Sequence, residues 1–267
     1  SAVAVISGEH DRFSHLEMNG EVLLDLPVDA CGSTLEEDDE QFIGNVSLSD
    51  ILAWVDEAPS EALELARWAK ETNRAIAEHG MTHPYGLSVG TVAAQGFEGG
   101  TTLQEAFAYA SAMAAAASDA RMAGCPLAVV INSGSGNQGI TLTVPLAVVG
   151  SFLNVEEDTL HKAMLVAQLV GLSLTARKNR LSALCGAFTA AIGTACGYVY
   201  LLGGRVEEMD RAFNTMVGNL TGIICDGAKG TCALKIHSCA EAAALAAKLA
   251  MCGLAPSSES GIAGRTS

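Results

Sequence analysis

Two rhythms of apolar and polar positions divide the chain. Phe13-Ser14-His15-Leu16-Glu17-Met18 and Glu21-Val22-Leu23-Leu24-Asp25-Leu26 alternate imperfectly on either side of Asn19-Gly20. That dipeptide accepts positive φ at both positions and is a strong hairpin signal. With the strand-like Ala2 to Ser7, the opening region to about Asn45 is expected to form strands. From Ser49 onward the apolar residues recur at helical spacing. Asp50 is expected to cap a helix over Ile51 to Asp56, and Ala62 to Glu78 forms a second that Gly80 ends. Thr101-Thr102 opens an alanine-rich helix to Met122. Further helices are expected over Glu156 to Thr175, within Leu181 to Gly204, over Glu207 to Ile224 and over Ala240 to Met251. The fold class predicted is α+β and predominantly helical. A small strand-containing part over residues 1–47 precedes an Ala/Gly-rich helical domain over residues 48–267.

Composition sharpens this picture. Aromatic residues make up only 5% of the chain while mean hydropathy is +0.30, so small aliphatic side chains supply the apolar character and favour close helix–helix packing. A formal charge of −15 argues against a nucleic-acid partner, because phosphate binding needs a basic surface. Leu181 to Gly204 carries no charge, yet its Gly, Ala, Ser and Thr content predicts a buried central helix and not a membrane span. Eight cysteines with no visible signal peptide suit a reducing compartment, the cytoplasm, better than a disulfide framework. Opening on a strand at Ser1, the sequence reads as a fragment that begins inside a larger protein.

Candidate chemistry gathers near the C-terminus. Cys225 and Cys232 lie seven residues apart around Asp226-Gly227 and Gly230, a loop able to fold both thiolates toward one object. Forty residues upstream stands Cys185, followed by Gly186, where something bulky can approach the backbone. Core packing is the competing explanation for any one cysteine. Cys196 is read as core, and Cys239 would complete an alternative zinc trio with Cys225 and Cys232. The uncharged stretch from Met122 to Val155 holds the polar loop Asn132 to Gly139. It is either a plain helix N-cap or an anion nest in which Ser133, Ser135 and Asn137 receive a carboxylate. Tyr85-Gly86-Leu87-Ser88-Val89-Gly90 is a second tight turn, set against a ligand or simply joining helices. His79 and His83 are four apart, but Gly80 and Pro84 argue against a shared helix and a metal pair. The acidic run Glu36 to Glu40 reads as a solvated loop, and His10 and His15 as surface residues.

Three ordered motifs carry a family resemblance: Ile131-Asn132-Ser133-Gly134-Ser135-Gly136-Asn137-Gln138-Gly139-Ile140, Leu184-Cys185-Gly186-Ala187, and Ile224-Cys225-Asp226-Gly227-Ala228-Lys229. From about Leu48 onward the chain resembles the L-cysteine desulfidases, relatives of the alpha chain of iron–sulfur L-serine dehydratases. The resemblance implies a [4Fe–4S] cluster held by Cys185, Cys225 and Cys232, no pyridoxal phosphate, and β-elimination of L-cysteine to pyruvate, ammonia and sulfide. L-Serine is the alternative substrate, and a non-catalytic zinc domain or a metal-free binding module the alternative functions. The family's Gly-Cys-Thr-acid-Pro motif is not found in residues 1 to 267. The partners expected are therefore a small amino acid and an upstream segment of the same protein, with a homodimer admitted. Within the chain, Lys229, Lys235 and His237 are the nearest candidates for the base.

Overall fold

A computed structural model describes residues 1–7, 12–27, 37–97, 99–178, 182–257 and 259–263. Strands β1 (Ala2–Ile6), β2 (Phe13–Met18) and β3 (Glu21–Asp25) form an antiparallel sheet in the order β1-β2-β3. Asn19 and Gly20, at φ 51° and 88°, make the tight turn that pairs Met18 with Glu21, as the alternation predicts. His15 lies on this sheet within 3.1 Å of Asp25, while His10 falls outside the described residues.

The strand pattern ends sooner than expected, because residues up to Asn45 already form α1 (Glu37–Asn45), which packs on α7 (Glu157–Lys178). Glu36 lies outside the described residues, and the rest of the acidic run is helical backbone instead of a loop, with Asp39 exposed. The next helix, α2 (Leu48–Asp56), is capped by Ser47 and not by Asp50. Asp50 closes the capping box from the third helical position by accepting the Ser47 N–H. The helix α3 (Ser60–Thr82) runs straight through Gly80. A Cβ there would stand 2.2 Å from the Ala116 carbonyl oxygen, so this glycine lets α3 lie against α5 (Leu103–Met122) and stops nothing. Between them comes the short α4 (Val89–Ala93), and α5 opens with a Thr102–Glu105 capping box.

The remaining helices are α6 (Gly136–Leu153), α7, α8 (Gly186–Leu201), α9 (Val206–Leu220) and α10 (Cys232–Met251). Small residues set their spacing. On α8, Gly193 and Gly197 face the carbonyl oxygens of Ala167 and Ala163 on α7, where a Cβ would come to 2.3 and 3.0 Å. Inside α6, Pro145 has no N–H to give the Thr141 carbonyl one turn back. Thr194 of α8 supplies the missing donor, its hydroxyl reaching Thr141 O at 2.7 Å in the buried core. A loss built into one helix is thus repaired by its neighbour. Among the described residues no helix is long and apolar enough to cross a membrane.

These contacts also fix direction. Gln138 and Leu146 of α6 meet Gly186 and Gly197 of α8, so the two run parallel. Thr175 of α7 donates to Gln138, and Leu160 packs on Gly150, so α7 runs opposite to both. At the far end of α10, Lys248 pairs with Gln104 at the start of α5, and Met251 meets Gly204 just beyond α8. The N-termini of α6, α8 and α10 and the C-termini of α5 and α7 therefore gather at one end of the bundle.

Candidate functional site

That end holds the polar loop and three of the cysteines. Asn132 and Ser135 exchange backbone hydrogen bonds of 3.1 and 2.9 Å around Ser133 and Gly134, which sit at φ 50° and 78°. This is a tight turn with left-handed residues at both central positions, strained at Ser133 because it carries a side chain. Ser135 then caps α6 by accepting the Gln138 N–H. The Ser133 hydroxyl donates to Asn132 Oδ1 at 2.9 Å, and the buried Asn132 amide is held by Gln168. Asn137 accepts from Arg121 at 3.3 Å and from Ser118 at 3.5 Å. The loop is thus a turn and an N-cap whose serine side chains are engaged locally.

The cysteines are brought together by a two-residue bridge. Cys185 N–H donates to Ile223 O at 3.0 Å and Cys225 N–H to Ala183 O at 2.7 Å, pairing Leu184 with Ile224 in antiparallel sense. Alternate residues of paired strands share a face, so Cys185 and Cys225 project to the same side of this bridge as diagonal neighbours. Cys185 is buried and caps α8 as its N-cap residue, while Cys225 is exposed. Cys232 is the first residue of α10, at the end of the Asp226–Thr231 loop, with its Sγ 3.9 Å from Gly227 O. Gly186 does admit a close neighbour, and that neighbour is the buried Gln138 side chain, 3.0 Å from where a Cβ would be.

Electrostatics couple these groups. Burial pushes the Cys185 thiol up; the Ala187 N–H opposes this, and negative charge on Cys225 and Cys232 adds to it. Burial lowers Lys178, against the pull of thiolates at Cys185 and Cys225, and lowers Arg121 against a thiolate at Cys232. Half-buried Arg121, Lys178 and Lys235 therefore act on a set of thiols in a chain that is otherwise acidic, an arrangement composition conceals. Arg121, Gln138 and Thr175 were not distinguishable from surface or core residues by spacing alone, whereas Lys178 lies in the basic run from Arg177 that closes α7.

The three base candidates fare differently. Lys235 is bonded to Asp226 and to Ile224 O at 2.9 Å, and Lys229 pairs with Asp226 at 3.3 Å. Asp226 is held down to about 2 by these two ammonium groups, and it holds Lys235 protonated in return. Both lysines brace the loop, a poor state for a base. His237 is half-buried two positions further along α10, and among the described residues nothing bonds either ring nitrogen.

A zinc trio with Cys239 is not formed. Cys232 and Cys239 share α10, contrary to the expected start at Ala240, and seven residues of helix separate them by about 10 Å along the axis. One zinc ion with bonds of about 2.3 Å cannot span that. Cys239 is fully buried with its thiol pushed up to about 12, and Cys196 likewise. Among the described residues no three His, Cys, Asp or Glu groups are placed to hold a single ion. A four-iron cluster makes a different demand, since each cysteine binds its own iron.

Around this centre, the turn Tyr85–Ser88 lies over Gly230, and the buried Asp119 carboxylate takes the Leu87 and Gly90 N–H groups. What that tight backbone approaches is α5. His79 and His83 stack at 3.9 Å, since α3 continues past Gly80, and His79 Nδ1 lies 3.8 Å from Cys125 Sγ. The Cys125 thiol, bonded to the Tyr85 hydroxyl, raises that tyrosine.

A family model described as the serine dehydratase alpha chain matches residues 37–266. The chain is 38% identical over 262 residues to a UPF0597 protein of Oleidesulfovibrio alaskensis, covering 98% of this chain and 60% of that protein. It is 35% identical to a UPF0597 protein of Clostridium perfringens, with the same coverage of both chains. It is 34% identical over 264 residues to the UPF0597 protein YhaM of Salmonella enteritidis, again 98% of this chain and 60% of the relative. The chain thus spans about 60% of the length of these curated relatives. No solved structure matches it.

Proposed function

The chain belongs to the serine dehydratase alpha chain family, and from that premise we propose that it is the cluster-binding part of a lyase that removes a β-substituent from a small α-amino acid. The substrate proposed is L-cysteine, giving pyruvate, ammonia and sulfide, with L-serine as the alternative. The observation that carries the reading is the backbone bridge between residues 183–185 and 223–225, which sets Cys185 beside Cys225 within the electrostatic reach of Cys232.

Cys185, Cys225 and Cys232 would hold a [4Fe–4S] cluster, and the donor set fits. Thiolates that raise one another's proton affinity are stabilised by a shared metal centre, and the exposure of Cys225 leaves an entry path. When bound, such a cluster with three protein ligands supplies a Lewis-acidic iron for the leaving group. The chain's own residues do the rest. Lys229 and Lys235 clamp Asp226 and so fix the loop that carries Cys225. Arg121 and Lys178 supply positive charge beside the thiols. Of the base candidates His237 alone keeps an uncommitted ring, and a base from an upstream segment of the protein is the alternative. In this proposal residues 48–267 form the catalytic unit, working in a reducing, cytoplasmic setting.

Anaerobic reconstitution with iron and sulfide tests the ligands. Cys185→Ser, Cys225→Ser and Cys232→Ser should each abolish the visible iron–sulfur absorption, and Cys239→Ala should retain it. A cluster that survives in the Cys185 variant would overturn the assignment. Sulfide release from L-cysteine against pyruvate formation from L-serine, at equal iron content, decides the substrate.

A further inference from the structure

A second concave site lies on the flank of the bundle. A cavity of about 530 Å³ opens between α3, α5 and α6. Small buried side chains make its floor, Ala106 of α5 and Ala147 of α6, where longer residues would have closed the gap between the helices. Met81 and Met113 line it with flexible thioethers. One wall is an aromatic pair, the Phe97 ring stacked on Tyr109 at 4.1 Å. Gly100 admits that ring, since a Cβ there would stand 2.8 Å from Phe97 Cε2. Tyr109 lies twelve residues before Arg121 on α5, and Val148 twelve beyond Gly136 on α6, so the cavity sits about 18 Å along the helices from the end that holds the thiols.

Apolar ligand pockets fix orientation with a small number of polar groups. Here the Thr82 hydroxyl donates to the Glu78 and His79 carbonyls and the Ser151 hydroxyl to the Ala147 carbonyl, so both are spent on backbone. What remains at the mouth is one cation and one anion side by side. Arg74 Nε donates to Glu78 Oε1 at 2.7 Å, and both side chains are about half exposed. Among the described residues nothing else pairs with either side chain, so the guanidinium keeps both Nη groups, and the carboxylate its second oxygen, for a ligand. Arginine's planar fork suits a carboxylate, and a carboxylate oxygen suits an ammonium. A surface pair four residues apart accounts for the two charges, but not for the alanine-floored cavity behind them.

We infer that this cavity binds a free α-amino acid with a large apolar side chain. Arg74 takes the carboxylate, Glu78 the ammonium, and the side chain fills the space over Ala106 and Ala147 against Met113 and Tyr109. L-Cysteine and L-serine lack that apolar bulk. The site therefore differs in ligand and in place from the proposed lyase centre, and it stands independently of that reading.

The test titrates the reduced chain, isotope-labelled at its methionine methyl groups, with L-phenylalanine and follows it by NMR. Three companions dissect the recognition: hydrocinnamate lacks the ammonium, phenethylamine lacks the carboxylate, and L-serine lacks the apolar tail. L-Phenylalanine should shift the Met81 and Met113 methyl signals with a Kd of about 1 mM or tighter. Each companion should bind there at least tenfold more weakly. Arg74→Gln and Glu78→Gln should each weaken L-phenylalanine at least tenfold, while Arg74→Gln leaves the affinity for phenethylamine unchanged. Both positions are exposed, and an unchanged urea midpoint shows that the variants fold as the parent does. No shift of the two methyl signals, hydrocinnamate binding as well as L-phenylalanine, or wild-type affinity in either Gln variant would each overturn the inference.

Discussion

Asp226 shows how much of the candidate site depends on one exposed side chain. Two lysines, at positions 229 and 235, bond its carboxylate and hold its pKa down to about 2 from an ordinary 3.8. A group whose folded value is depressed stabilises the folded form above its unfolded pKa and loses that contribution as pH falls through the folded one. The Cys225–Cys232 loop should therefore stay braced at neutral pH and loosen between about pH 4 and pH 2. Hydrogen exchange of the amides of residues 225–231, measured across that range, reads this directly. Asp226→Asn should show the fast exchange at pH 6. Slow exchange in that variant would mean that the Lys235 bond to the Ile224 carbonyl braces the loop unaided.

Helices were the legible part of this chain, and their ends were not. Alternation about Asn19-Gly20 and the alanine-rich periodicities from residue 48 onward predict the observed hairpin and bundle. Gly80 misleads because a glycine reads the same whether it ends a helix or admits a neighbour. Only the Ala116 carbonyl beside Gly80 tells the two apart. The cysteine candidates were visible as spacing, yet the bridge that joins residues 183–185 to 223–225 is a tertiary contact with no local signal. The Pro145 repair is of the same kind and can be measured. Thr194→Val should leave the buried Thr141 carbonyl unpaired and cost about 1–3 kcal/mol. Pro145→Ala restores a backbone donor to that carbonyl, so the Thr194 change should cost much less in its presence. A double-mutant cycle by urea unfolding gives the coupling, and additive effects would show that the hydroxyl does not serve that carbonyl.

Over the whole molecule, the cysteines differ by environment more than by chemistry, and that difference maps the site. Cys225 and Cys252 are exposed, Cys125 and Cys232 half-buried, and Cys185, Cys196 and Cys239 buried. Only a thiolate alkylates, and for Cys196 and Cys239 burial pushes the thiol up to about 12. In the reduced, metal-free chain, iodoacetamide at pH 8 should label Cys225 and Cys252 first, Cys232 and Cys125 next, Cys185 slowly, and the other two only after denaturation. Mass spectrometry of the digested protein follows each site, including Cys31, which lies outside the described residues. After anaerobic iron and sulfide loading, protection should appear at Cys225, Cys232 and Cys185 together, with Cys252 and Cys125 labelled as before. Cys252, beyond the C-terminus of α10, lies at the opposite end of that helix from Cys232 and is the internal control. Protection that spreads to Cys252 would mean general tightening of the fold. Protection that omits Cys225 would remove the exposed ligand, and with it the bridge geometry as the basis of the cluster site.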